Sequence, residues 1–139
     1  MNIEWTSALS INDERIDKEH QLYFDLLNRL HKECAQGASK KKLRRLFEEL
    51  MLFIRFHFMA EENVMIDMKY EGYKEHRMAH ARALDVIKSK LYDYENDAVE
   101  IEDILEFAVE WFLLHISTLD RDLGKFLAIH KQTEQGTVI

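Results

Sequence analysis

The chain has no proline, only four glycines and one cysteine in 139 residues. So little turn chemistry, with no run that alternates polar and apolar residues between turn signals, argues against a sheet. Cys34 has no second cysteine to pair with and reads as a small helical residue in a reducing compartment. Long hydrophobic runs are missing too. The most apolar stretch, Phe107 to Ile116, is interrupted by Glu110 and His115 and is far too short for a bilayer. The first residues, Met1-Asn2-Ile3-Glu4-Trp5, lack the charged-then-apolar build of a signal peptide. A soluble, cytoplasmic protein is expected, with no membrane insertion. Acidic residues outnumber basic ones by 26 to 19, and the resulting net charge of −7 argues against nucleic acid as a general partner. The exception is the run Lys40 to Arg45 near a helix start, where it opposes the helix dipole. It reads as a solvated face or as a docking patch for an acidic partner or a membrane surface.

What the chain has in quantity is helical periodicity. Ile16, His20, Tyr23, Leu27 and Leu30 form one stripe, and Leu43, Phe47, Leu50, Ile54, His57 and Glu61 another. Tyr73, His76, His80, Leu84, Ile87 and Leu91 mark a third, and Ile101, Ile104, Ala108, Trp111 and His115 a fourth. The predicted helices run from Asp17 to about Gln36, Lys40 to Ile66, Tyr70 to Tyr94, and onward from Val99. Ser39 is a plausible N-cap for the second, whose apolar end from Val64 to Met68 is expected to fray. Short linkers between helices of this length predict an all-α, up-down-up-down antiparallel four-helix bundle. Residues 1–139 are expected to form one domain, with an arm at 1–15, the bundle at about 16–120 and a C-terminal helical segment at 121–139. That segment could extend the fourth helix or stand apart, and its polar tail from Lys131 is expected to be mobile. Trp5 is the natural anchor for the arm.

Five of the seven histidines lie on these apolar stripes, and every helix supplies at least one. His31 and His130 do not fit the pattern. Within the second helix, His57 and Glu61 are one turn apart on one face, as are His76 and His80 in the third. A carboxylate buried without a partner costs several kcal/mol, and no lysine or arginine shares its stripe. In an antiparallel bundle the starts of helices one and three meet the ends of helices two and four. His20, His57, Glu61, His76, His80 and His115 therefore fall at one height. Six such groups exceed one tetrahedral site and point to two metal ions. A second carboxylate is needed near His115, and Asp120 and Asp122 are the candidates. Seven residues bring a helical side chain nearly back to the same face, whereas five turn it by about 140°, so regular geometry favours Asp122.

These residues together resemble the hemerythrins, most closely the single-domain bacterial ones. The matching stretches are Trp5, Ile16-Asp17-Lys18-Glu19-His20, His57-Phe58-Met59-Ala60-Glu61-Glu62, His76 with His80, and Trp111 followed by His115-Ile116 and Asp120. The resemblance implies a non-haem, oxo- or hydroxo-bridged pair of iron ions. His76, His80 and His115 would hold one ion, His20 and His57 the other, with Glu61 and Asp120 bridging. It thus selects Asp120 over Asp122 and requires a distorted helix between His115 and Asp120. It also implies reversible O2 binding at the two-histidine iron, in a carrier, store or delivery protein that is not an enzyme. The alternatives are a di-iron enzyme acting on peroxide, nitric oxide or ferrous iron, or an oxygen or redox sensor. Phe112 stands where the family commonly has leucine, and with Ile116 it is the candidate lining of an oxygen pocket. Glu62, turned about 100° from Glu61, reads as a solvent-facing or supporting group rather than a ligand.

Overall fold

The structure, a computed structural model, describes the backbone of residues 2–137 and the side chains of residues 2–130. Its helices are α1 (Glu14–Ala35), α2 (Lys40–Asp67), α3 (Tyr73–Glu95), α4 (Ile101–His115) and α5 (Arg121–Thr137), and no strand occurs among the described residues. α1 to α4 pack as an antiparallel bundle in which each touches its chain neighbour and α4 returns to α1.

The helix ends follow local chemistry. Asp13 caps α1 by accepting from the Ile16 backbone N–H, and Ser39 caps α2 by accepting from that of Lys42. After α1 the chain turns through Gly37 at φ 78°, a left-handed conformation that glycine adopts without steric cost. The end of α2 does not fray. It stays helical to Asp67 and closes with Tyr70 N–H donating to Met65 O, while Lys69 takes φ 52°. Met65 is fully buried there, and this packing outweighs the lack of a glycine at the left-handed position.

The stripes predicted for α1 and α2 are buried in full. On α3, Ala83 is buried where Leu84 is only half-buried, and on α4 Phe112 is buried where Trp111 is half-buried. Tyr23, Phe24, Leu27, Phe47, Ile54, Ile87, Ile104 and Phe112 belong to the main core. Each such side chain contributes about 1.5–3 kcal/mol by leaving water.

A second, smaller apolar cluster of Ile11, Ile16, Met65, Leu123 and Leu127 ties the arm and α5 to the ends of α1 and α2. The arm approaches α5 so closely that a Cβ on Gly124 would lie 2.8 Å from Ile11 Cα. Asn12 Nδ2 donates to Gly124 O at 3.0 Å, and Asp17 accepts from both Ser10 Oγ and the Ile11 backbone. Trp5 is half-buried against the main core, as an anchor should be.

α4 and α5 form one continuous rod, joined by a π-helical turn over Ile116–Asp120. Residues 121–137 therefore extend the fourth helix. The expected mobility of the tail from Lys131 concerns side chains and a terminus outside the described residues.

The basic run ties a corner of the bundle together. Lys40 pairs with Asp97, Lys42 with Glu33 at 2.9 Å and Arg44 with Glu95 at 3.1 Å. Surface pairs of this kind are screened by solvent and stabilise the fold little. Cys34 Sγ donates to Glu102 Oε1 at 3.0 Å, and burial with that contact pushes the thiol up to about 11. No helix among the described residues is long and apolar enough to cross a membrane.

Candidate metal centre

Every buried carboxylate and imidazole among the described residues lies in one cluster: Glu19, His20, His57, Glu61, His76, His80, His115 and Asp120. Glu61 and Asp120 are wholly inaccessible to solvent. α1 supplies Glu19 and His20, α2 His57 and Glu61, and α3 His76 and His80. His115 closes α4, and Asp120 ends the π turn that follows. The extra residue in that turn brings a side chain five positions along back toward His115. His115 Nε2 and Asp120 Oδ1 are 3.1 Å apart, whereas Asp122 is exposed.

The cluster divides into two groups of donor atoms. In one, Glu61, His76, His80, His115 and Asp120 each offer an atom within 4.8 Å of all the others. His76 Nε2 lies 2.6 Å from Glu61 Oε1, 3.0 Å from Asp120 Oδ1 and 3.0 Å from His115 Nε2. His80 Nε2 is 3.1 Å from His115 Nε2 and 3.2 Å from Glu61 Oε1. The other group is His20, His57 and Glu61, with His57 Nε2 3.4 Å and His20 Nε2 3.8 Å from Glu61 Oε2. Asp120 joins it through Oδ2, 3.3 Å from His20 Nε2. Each carboxylate thus turns one oxygen to the three-histidine group and the other to the two-histidine group.

This donor set fits metal ions. Two donors at right angles on one ion, each about 2.1 Å from it, are about 3.0 Å apart, which matches the Nε2 spacings of His115 to His76 and to His80. All four oxygens of Glu61 and Asp120 are buried and lack hydrogen bonds, although ring nitrogens stand within 4 Å of them. His20 Nε2 and His57 Nε2 are in the same condition. These unsatisfied atoms all belong to the two groups of donors that could each hold an ion.

With protein groups alone around them, the charges redistribute. Burial opposes a proton on His20 and His76, but the carboxylates of Asp120 and Glu61 outweigh it and push both rings up to about 9. His115 is raised by the same balance. Burial would lift Glu61, yet His115, His20, His76 and His80 hold it well below the usual carboxylate range. Against burial and the nearby Glu61, His115 and His20 hold Asp120 low as well. A bound cation would balance the two buried carboxylates as a proton on these rings does.

Aromatic rings pack against the cluster. Phe58 stacks on His80 at 3.9 Å, Trp111 on His115 at 4.4 Å, and Phe112 meets His20 edge-on at 5.2 Å while stacking on Tyr23 at 3.8 Å. Ile116 is buried in the adjoining core. His31 is half-buried elsewhere, and His130 packs against Phe126.

Glu19 is absent from the stripe predicted for α1, yet it is buried and accepts from His57 Nδ1–H at 2.8 Å. The available signal was its position just before His20, one helical step toward α2. Glu62 accepts from His80 Nδ1–H at 2.9 Å, in the supporting role left open for it.

Known proteins resemble this chain over most of its length. The chain is 27% identical to the bacteriohemerythrin of Clostridium acetobutylicum over 124 residues, covering 85% of this chain and 95% of the relative. It is 25% identical to that of Methylococcus capsulatus over 126 residues (89% and 95% covered), and 29% identical to the myohemerythrin of Sipunculus nudus over 112 (75% and 85%). A crystal structure of wild-type hemerythrin superimposes with a TM-score of 0.82 at 24% identity, covering 90% of this chain and 97% of that one, which establishes the shared fold. Residues 12–127 match the family model of the hemerythrin HHE cation-binding domain, so a buried imidazole–carboxylate cluster suited to metal sits within a chain that belongs to that family.

Proposed function

We propose that this chain binds O2 reversibly at a pair of non-haem iron ions, as an oxygen carrier, store or delivery protein and not as an enzyme. The observation that carries the reading is the division of Glu61 and Asp120, each with one oxygen toward three imidazoles and one toward two. His76, His80 and His115 would hold one iron and His20 and His57 the other, with the two carboxylates spanning them. The pair of ferrous ions, when bound, supplies electrons to O2 and recovers them on release. Imidazole-rich sites suit ferrous iron.

The protein's part is positioning and exclusion of water. The three-histidine group has five protein donors counting both carboxylates, and the two-histidine group has four, so the second side is where an external ligand would enter. That side is walled by Phe112, whose ring meets His20 and lies 6.2 Å from His57. An apolar wall limits the water and protons that would carry off reduced oxygen. The relatives' names, bacteriohemerythrin and myohemerythrin, support the same reading.

The test is optical. The protein is loaded with ferrous iron without oxygen, exposed to air, then deoxygenated. A visible absorption band that appears with air and disappears on its removal is the expected result. Irreversible oxidation at first exposure would favour the enzymatic alternative.

A further inference from the structure

Two of the five imidazoles in the cluster are held from behind by a carboxylate. His57 Nδ1–H donates to Glu19 Oε1 at 2.8 Å, and His80 Nδ1–H donates to Glu62 Oε2 at 2.9 Å. His20 Nδ1 and His76 Nδ1 have no hydrogen-bond partner. One supported ring therefore belongs to the two-histidine group and the other to the three-histidine group. The chain positions of the two carboxylates repeat a single device. Glu19 precedes His20 on α1 and reaches a ring of α2, while Glu62 follows Glu61 on α2 and reaches a ring of α3. Adjacent helical residues diverge by about 100°, so one side chain enters the cluster while its neighbour props a ring on the next helix. Each prop has a cation behind it: Arg15 Nε is 3.0 Å from Glu19 Oε2, and Arg77 Nε is 3.9 Å from Glu62 Oε1.

We propose that Glu19 and Glu62 are positioning residues, one assigned to each ion, an inference that rests on the two-ion reading above. By accepting a hydrogen bond from Nδ1–H, each carboxylate fixes the tautomer that leaves the Nε2 lone pair facing the cluster, orients the ring and raises its basicity. The two act with unequal weight. Glu19 governs one of only two imidazoles on the side with fewer donors, whereas Glu62 governs one of three. The interlock also sets the relative rotation of α1, α2 and α3, because each prop binds a ring on the helix that follows.

Zinc, which is diamagnetic, is the probe, applied to the full chain and to Glu19→Ala, Glu19→Gln, Glu62→Ala and Glu62→Gln. Competition with a chromophoric chelator reads the two affinities, and proton NMR reads the Nδ1–H resonances. Glu19→Ala is expected to weaken one ion and Glu62→Ala the other, each by about 10–100-fold. The Gln variants, which keep an acceptor of the same shape, should fall between. Glu19→Gln should move the His57 Nδ1–H resonance alone, and Glu62→Gln that of His80 alone. A merely structural role would lower the melting temperature without this selectivity. Unmoved resonances, or equal weakening of both ions by each variant, would overturn the assignment while leaving the two-ion site standing. Failure of the unmodified chain to take up two zinc ions would instead overturn the two-ion reading, and this inference with it.

Discussion

His115 and Asp120 are five residues apart in the chain, yet His115 Nε2 and Asp120 Oδ1 stand only 3.1 Å apart. The π turn between them makes this contact possible and leaves Asp122 on the exposed side of the rod. Asp120→Ala is therefore expected to reduce bound iron below two per chain, because a carboxylate spanning both groups is lost. Asp122→Ala is expected to leave iron content unchanged. Iron determination on the purified variants checks both, and the reverse pattern would show that the regular-helix choice was correct.

The acid–base balance of the cluster predicts how the metal-free protein responds to pH. A ring whose pKa is raised on folding contributes stability below its unfolded value, and that contribution fades as pH rises through the folded value. For His20 and His76 the window runs from 6.5 to about 9. Chelator-treated protein should lose denaturant resistance steadily across it. Protein loaded with metal should lose much less, since its ligating rings carry no proton at Nε2 to release. On the acid side the contribution of Glu61 and Asp120 is present above the ordinary carboxylate range and fails as pH falls through their lowered values. Equal slopes between pH 6.5 and 9 for the two forms would contradict this picture. Chemical denaturation at a series of pH values is the measurement.

Phe112 is 1% exposed and packs against His20, Tyr23 and Phe24. Replacing it with leucine removes part of a ring from beside the two-histidine group and costs about 1 kcal/mol of stability. Phe112→Leu should raise the autoxidation rate by admitting water, with iron content unchanged. Stopped-flow or slow spectral decay under air measures the rate, and an unchanged rate would remove Phe112 from the oxygen pocket.

Different parts of this molecule were legible to different degrees in its sequence, for reasons that can be named. The histidines on apolar stripes had to be buried, and antiparallel packing fixed their common height, so their convergence followed from spacing alone. Asp120 did not follow, because ideal helix geometry favours Asp122 and a π turn leaves no clear mark in residue types; the family resemblance indicated it. Glu19 escaped because apolar periodicity detects the centre of a buried face and not its edge, where a carboxylate can be covered by the neighbouring helix. The closure of α2 escaped because Lys69, not glycine, takes the left-handed turn. The pairing of Lys40, Lys42 and Arg44 with Asp97, Glu33 and Glu95 depends on loops meeting at one corner, which no local pattern encodes.

The most direct test of the two-ion site is anomalous diffraction at the iron edge from crystals of the iron-loaded protein. The account predicts two separate peaks, one among His76, His80 and His115 and one beside His20 and His57, with Glu61 and Asp120 between them. A single peak, or iron bound away from these seven side chains, would contradict it.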